Sequence, residues 1–199
     1  MKNQTIIFDL GKVICPFDVL IPCRKLTERC GIDPMEIKKL IFFGEPEALF
    51  ETGKITADQF TAQVNQLLNL NLTTREFHDI WSPMFELDET MVALVDELRP
   101  STQLILLSNT SPWHFEWVDS RYDIRSHFDE LVLSYEVGWM KPAEPIYRAA
   151  LALAEFPDTA IFIDDLEVNV TAAESFGIRA ILFQGEHHLR ERLNNLGYL

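Results

Sequence analysis

The sequence predicts an α/β protein, a doubly wound parallel sheet interrupted after its first strand by a long helical insertion. Three observations predict it. Apolar runs of strand length recur at residues 5–8, 104–107 and 161–163, rich in β-branched side chains and too short for helices. From Asp88 onward such runs alternate with amphipathic stretches, as in a sheet covered by helices on both faces. Between the first run and that alternation, at residues 16–87, the spacing is helical throughout.

The first run ends abruptly at Asp9 and Gly11, which puts a carboxylate at the carboxyl end of a strand. In open α/β sheets that edge carries the ligand crevice. Cys15, Pro16 and Phe17 break the chain at the exit. Asp33 and Pro34 form a helix start, an N-cap acid followed by proline at the first helical position, leading into residues 35–43, and Gly44 and Pro46 punctuate. Thr56 with Gln59 and Thr73 with Glu76 match the capping box, opening helices at residues 56–68 and 73–85. Phe60, Val64 and Leu67, then Phe77, Ile80, Trp81 and Met84, form stripes that read as core. The second half supplies helices at 91–99, 113–119, 145–153 and 168–175, strands at 104–107, 131–133, 161–163 and 179–183, and a polar helix from Glu186. Pro100 stops the first of these helices, Pro112 opens the second and Gly177 ends the fourth.

A chain of 199 residues with 47% hydrophobic and 24% charged residues has the composition of a soluble globular protein with one good core, or a core plus an insert. The formal net charge of −14 argues against nucleic-acid binding, which needs clustered Lys and Arg. An anionic substrate would therefore need a locally positive pocket. Cys15, Cys23 and Cys30 have neither close pairing nor a histidine at zinc-ligand spacing, and read as free thiols of a cytoplasmic protein. The N-terminal run, cut by Asp9 and Lys12, does not read as a signal peptide, and no window approaches a membrane span. A monomer or weak homodimer is expected.

Chemistry-bearing residues follow each strand or its exit loop: Asp9 and Gly11, then Ser108 and Asn109, then Lys141 before Pro142, then Asp164 and Asp165 with Asn169. Together they resemble the four-part motif of the haloacid dehalogenase-like hydrolase superfamily, over nearly the whole length of the chain. The resemblance is greatest to its small phosphatases with Asp-Leu-Gly-x-Val as first motif, the group that includes α-D-glucose-1-phosphate phosphatase. It implies a Rossmann-like core at residues 1–15 and 88–199 with a helical cap at 16–87. It also implies a phosphoric monoester phosphatase acting on a small phosphorylated metabolite, a sugar phosphate being favoured. Asp9 would be the nucleophile that forms an aspartyl-phosphate, and Lys141 would pair with it and with phosphate. Phosphate would be bound by the amides of Leu10, Gly11 and Asn109 and by the Ser108 hydroxyl. Mg²⁺, which prefers hard oxygen ligands, would be held by Asp9, Asp164 and the Gly11 carbonyl, with Asp165 and Asn169 behind them.

One position departs from the motif. Most phosphatases of this superfamily carry a second aspartate two residues after the nucleophile as general acid and base; Gly11 stands there. Losing such a group forfeits about 10²–10⁴ in rate. Either Asp18, Glu45 or Glu47 replaces it, or the leaving group needs little help, as with the anomeric oxygen of a sugar 1-phosphate; if proton transfer is limiting, Gly11→Asp is expected to raise turnover on poor leaving groups. A 2-haloacid dehalogenase, or a non-catalytic phospho-ligand-binding protein on a hydrolase scaffold, are the alternatives. Phe17, Phe42, Phe43, Trp113, His114 and Phe115 lie where they could face a sugar, with core packing the favoured role, and His187 and His188 read as surface residues.

Overall fold

The computed structural model describes residues 2–199. Among them, β1 (Gln4–Phe8), β2 (Thr102–Ser108), β3 (Glu130–Leu133), β4 (Ile161–Asp164) and β5 (Arg179–Leu182) form one parallel sheet in the order β3-β2-β1-β4-β5. β1 is central because its residues are apolar on both faces. Ile6 and Phe8 join one core cluster and Ile7 the other, all fully buried. Phe8 is level with Leu106 of β2 and with Ile163 of β4, so the carboxyl ends of three strands open at one edge. The chain leaves β1 toward β2 and β3, then returns to the other side for β4 and β5. That reversal leaves a crevice at the end of β1.

Between β1 and β2 run α1 (Leu20–Cys30), α2 (Pro34–Ile41), α3 (Glu45–Glu51), α4 (Ala57–Leu68) and α5 (Thr74–Trp81), followed by α6 (Glu89–Leu98). The remaining helices are α7 (Pro112–Tyr122), α8 (Ser134–Val137), α9 (Glu144–Leu153), α10 (Glu167–Ser175) and α11 (Glu186–Asn195). Helices α6, α7 and α11 cover one face of the sheet, α9 and α10 the other. The five early helices enclose a third apolar cluster of their own around Phe60, Phe77 and Trp81, which Trp113 of α7 enters from the sheet side. No described helix is long and apolar enough to cross a membrane.

Local chemistry accounts for most boundaries. Both capping boxes close as expected, Thr56 with Gln59 and Thr73 with Glu76, and the Asp33 carboxylate accepts from the Met35 amide. Four expectations need correction. Gly44 and Pro46 do punctuate after α2, but they also open a helix that was not expected, α3, as N-cap and second helical residue, since proline in a first turn sacrifices an amide that has no partner anyway. Helix α5 stops at Trp81 instead of residue 85, because Pro83 lacks the amide needed to continue it. In α4 the buried stripe runs Phe60, Val64, Leu68, leaving Leu67 on the outer face. Cys15, Cys23 and Cys30 are free, the first two buried, and Phe43 is exposed rather than packed.

Candidate active site

Three strand ends and one loop converge. Asp9 follows β1, with its amide donating to the Ile163 carbonyl at 2.9 Å, while Ser108 closes β2 and Asp164 closes β4. Lys141 reaches the same point from the loop after α8. Its Nζ lies 2.7 Å from Asp9 Oδ1 and 2.7 Å from Asp164 Oδ2, and donates to the Leu107 carbonyl at 3.2 Å. Three protons thus meet three acceptors, and a buried ammonium is fully satisfied. The lysine is placed by Asn109, whose side-chain amide donates to the Lys141 carbonyl at 2.9 Å and accepts from the Lys141 amide at 2.8 Å. The Lys141–Pro142 peptide bond is cis. Asn169 in turn donates to both oxygens of Asp164, at 3.0 and 3.1 Å, fixing the carboxylate plane.

The charge balance at this point is uneven. Asp9, Asp164 and Asp165 each offer an oxygen within 4.8 Å of the others, against a single lysine. Burial pushes the Asp9 carboxyl up to about 7; Lys141 opposes this, and the charges of Asp164 and Asp165 add to it. Burial and then Asp164 also raise Asp165. Burial alone would lower Lys141, but the two carboxylates hold it above its ordinary value. Three convergent hard oxygen donors carrying surplus negative charge suit a small divalent cation such as Mg²⁺. Asp165, expected behind the ligand set, contributes an oxygen to the cluster itself.

Leu10 and Ser108 flank the acid. The Leu10 amide, expected to bind phosphate, donates instead to Asp9 Oδ1 at 2.7 Å. The Ser108 hydroxyl has only a long contact, 3.4 Å, to the Asn109 carbonyl. Ser134 braces the neighbouring turn, accepting from the Thr110 amide at 2.9 Å and donating to its carbonyl at 3.0 Å.

Two adjoining cavities meet here. One, about 150 Å³, is lined by Asp9, Lys141, Asp165 and Asn169; the other, about 130 Å³, runs beneath the helical block to Glu47, Glu51 and His114. Gly11, Phe17 and Asn109 line both and form the partition between them. The missing side chain at Gly11 is space that Phe17 uses: a Cβ there would come within 2.9 Å of Phe17 Cε1. Of the candidate replacement acids, Glu47 faces this second cavity, whereas Asp18 instead accepts from the Leu20 amide at 2.8 Å and lies near Arg24. Glu45 does not line it. Sequence reasoning missed Glu51; its spacing of four from Glu47 was the available signal, obscured because α3 was not recognised as a helix. His114, Phe17 and Phe42 line the cavity, Phe115 belongs to the core, and Trp113 packs into the helical block.

A parallel α/β sheet with carboxylates, a buried lysine and a polar pocket at its switch point defines an enzyme that handles an anion beside a cation. No family model matches the sequence. Among curated proteins, D-ribitol-5-phosphate phosphatase of Bacteroides thetaiotaomicron is 31% identical over 145 residues, spanning 69% of each chain. Among solved structures, a HAD-like family hydrolase from Porphyromonas gingivalis is 25% identical with a TM-score of 0.80, covering 98% of both chains. A HAD family enzyme from Bacteroides thetaiotaomicron, solved in complex with magnesium and inorganic phosphate, shares the fold with a TM-score of 0.83 at 24% identity, over 94% of this chain and 98% of that one. The chain belongs to the haloacid dehalogenase-like hydrolase superfamily, among its phosphatases.

Proposed function

We propose that the protein is a magnesium-dependent phosphatase of a small sugar or polyol phosphate, working through an aspartyl-phosphate on Asp9, with residues 16–87 acting as a cap over a core formed by 1–15 and 88–199. The observation that carries this is the crowding of Asp9, Asp164 and Asp165 around Lys141 at the end of the central strand. Asp9 Oδ is the nucleophile. Lys141 orients it and takes up charge on the phosphoryl oxygens, and Ser108 with the amides of Gly11 and Asn109 donates to them. Asp9, Asp164 and Asp165 with the Gly11 carbonyl would hold Mg²⁺, which shields the attacking carboxylate from the phosphate charge.

The second cavity bounds the leaving group. A space of about 130 Å³ is close to that of cavities which admit a benzene-sized molecule, so a short carbon chain fits and a nucleotide does not. Its acids accept from hydroxyls, its aromatics pack on carbon, and the relative's D-ribitol 5-phosphate supports the same substrate class. The dehalogenase alternative has no use for three clustered acids, which repel a halocarboxylate.

The test is release of phosphate from an aryl phosphate and a panel of polyol and sugar phosphates, with and without magnesium. Release that needs Mg²⁺ is expected; halide release from chloroacetate unaffected by a chelator, or phosphate binding without turnover, would overturn the proposal. Asp9 would have to give up its proton to serve as a ligand, so Mg²⁺ affinity is expected to fall about tenfold per pH unit once pH drops below about 7, measurable by calorimetry. A flat affinity from pH 5 to pH 8 would contradict the raised Asp9 value.

Restoring an acid at position 11 now carries a different expectation. Gly11→Asp has to displace the Phe17 ring and is expected to lower kcat/KM by roughly 10- to 100-fold, because the partition of the site moves with it. Gly11→Asp combined with Phe17→Ala is expected to recover most of that loss. Equal rates for the single and double variants would show that Phe17 is not the obstacle.

A further inference from the structure

We infer that Glu51, paired with Glu47 on the inner face of α3, is the general acid and base that takes the place of the side chain missing at Gly11. The inference rests on the phosphatase reading above and adds to it the group that moves the proton. Glu47 and Glu51 are four residues apart, hence on one face of the helix, and both line the cavity that continues from Gly11, Ser108 and Asn109. Both lie where a leaving group would sit once its phosphate lay against Asp9.

An acidic pair alone would mean little, but a second polar side chain borders the same space. His114 is 3% exposed, lines this cavity, and its Nε2 has no hydrogen-bond partner. Burial pushes that imidazole down to about 3, so it is neutral and offers a hydroxyl-bearing ligand a polar contact without adding charge. A cavity with an unpartnered ring nitrogen and two carboxyls is furnished for a polyol.

Of the two acids, Glu51 is the one that senses the phosphate site. The charge of Lys141 acts on Glu51, while the charge acting on Glu47 is that of Glu51 itself. Burial raises both, Glu51 to about 7 and Glu47 well above the usual glutamate range, and Lys141 opposes the rise at Glu51. The charge of Glu51 disfavours ionisation of Glu47 beside it. The helix is also held to the core: Phe50 packs edge-on against Trp113 with ring centroids 5.2 Å apart, α3 packs on α8, and Gly53 sits so close to the Tyr135 carbonyl that a Cβ would come within 2.3 Å of it.

The steps balance. As an Asp9 oxygen bonds to phosphorus, the ester P–O bond breaks, its electron pair stays on the leaving oxygen, and the Glu51 proton goes to that oxygen to give the alcohol. The resulting Glu51 carboxylate then takes a proton from water as the water oxygen bonds to phosphorus. The P–O bond to Asp9 breaks, returning its carboxylate, and Glu51 is again protonated. One water and one monoester become one alcohol and one phosphate.

The experiment compares the full chain with Glu51→Gln in saturating magnesium on two leaving groups: p-nitrophenyl phosphate, which needs no acid, and whichever polyol phosphate the wild type turns over fastest. The expected result for the polyol ester is a fall of about 10²–10³-fold in kcat/KM. For the aryl ester kcat/KM should change by less than about tenfold, with a burst of one equivalent of nitrophenol because the second step lacks its base. Glu51→Asp, which keeps the carboxyl one methylene farther back, should show the same discrimination more weakly, and carries the test if the glutamine variant does not fold. Equal losses on both esters, or none on either, would overturn the assignment. A wild type inactive on every phosphate ester would instead sink the phosphatase reading itself.

Discussion

Replacing Asp9 with asparagine is expected to lower phosphate release by about 10⁴-fold or more, the scale seen when the nucleophile of a catalytic unit is removed. The same change is expected to stabilise the protein without metal. The Asp9 carboxyl stands at about 7 in the fold against 3.8 ordinarily, so the folded state holds a proton there that the unfolded state has released. Its contribution to stability is therefore present below about pH 4 and declines as pH rises toward 7. An amide removes that decline, and Asp9→Asn should melt higher than the wild type at pH 8 in chelator and about equally at low pH. Activity lost together with melting temperature would mean that Asp9 serves the fold instead of the chemistry.

Lys141 makes the opposite prediction. It sits 2.7 Å from each of two buried carboxylates and satisfies the Leu107 carbonyl as well, so Lys141→Met leaves charges with no partner. Breaking a buried ion pair by removing one member costs about 3–5 kcal/mol. In a chain of this size that corresponds to a melting temperature lower by roughly 6–20 °C at neutral pH. The loss should shrink toward pH 5, where the Asp9 carboxyl takes up a proton, and partly reverse with magnesium. Phosphate release is expected to fall about 10³-fold as the charge opposite the phosphoryl oxygens disappears. A Met variant that melts like the wild type in chelator at pH 8 would contradict the pairing.

The core of this arrangement was legible from the chain because buried parallel strands are written as uninterrupted apolar runs, and each run here stops at the residue that matters. Asp9, Ser108 and Asp164 could be placed on one sheet edge by that rule alone, and they are. The helical block was harder. Pro22 lies in the first turn of α1 and Pro46 in that of α3, where proline is tolerated, yet both look like breaks when read linearly. Losing α3 concealed Glu51, since a four-residue spacing carries meaning only once a helix is assumed. Asn109 was read for its backbone amide; that its side chain clamps the Lys141 backbone depends on a contact across 32 positions, which no local pattern encodes.

The helical block joins the sheet through two antiparallel crossings that bond to each other: the Asp18 amide to the Met84 carbonyl at 3.1 Å, the Glu86 amide to the Pro16 carbonyl at 2.8 Å, and the Asp88 amide to the Ile14 carbonyl at 3.0 Å. Phe17 and Phe85 face each other across this ribbon, with ring centroids 5.5 Å apart. A paired ribbon resists sliding but tolerates bending, so both crossings flex as one joint. If the helical block tilts to admit a metabolite, the Phe17 partition and the α3 carboxyls move away from Asp9 together. Under the proposed mechanism, bulk solvent and the α3 carboxyls would then alternate at Asp9, and water would discharge a phosphorylated Asp9 only with the helical block closed over it.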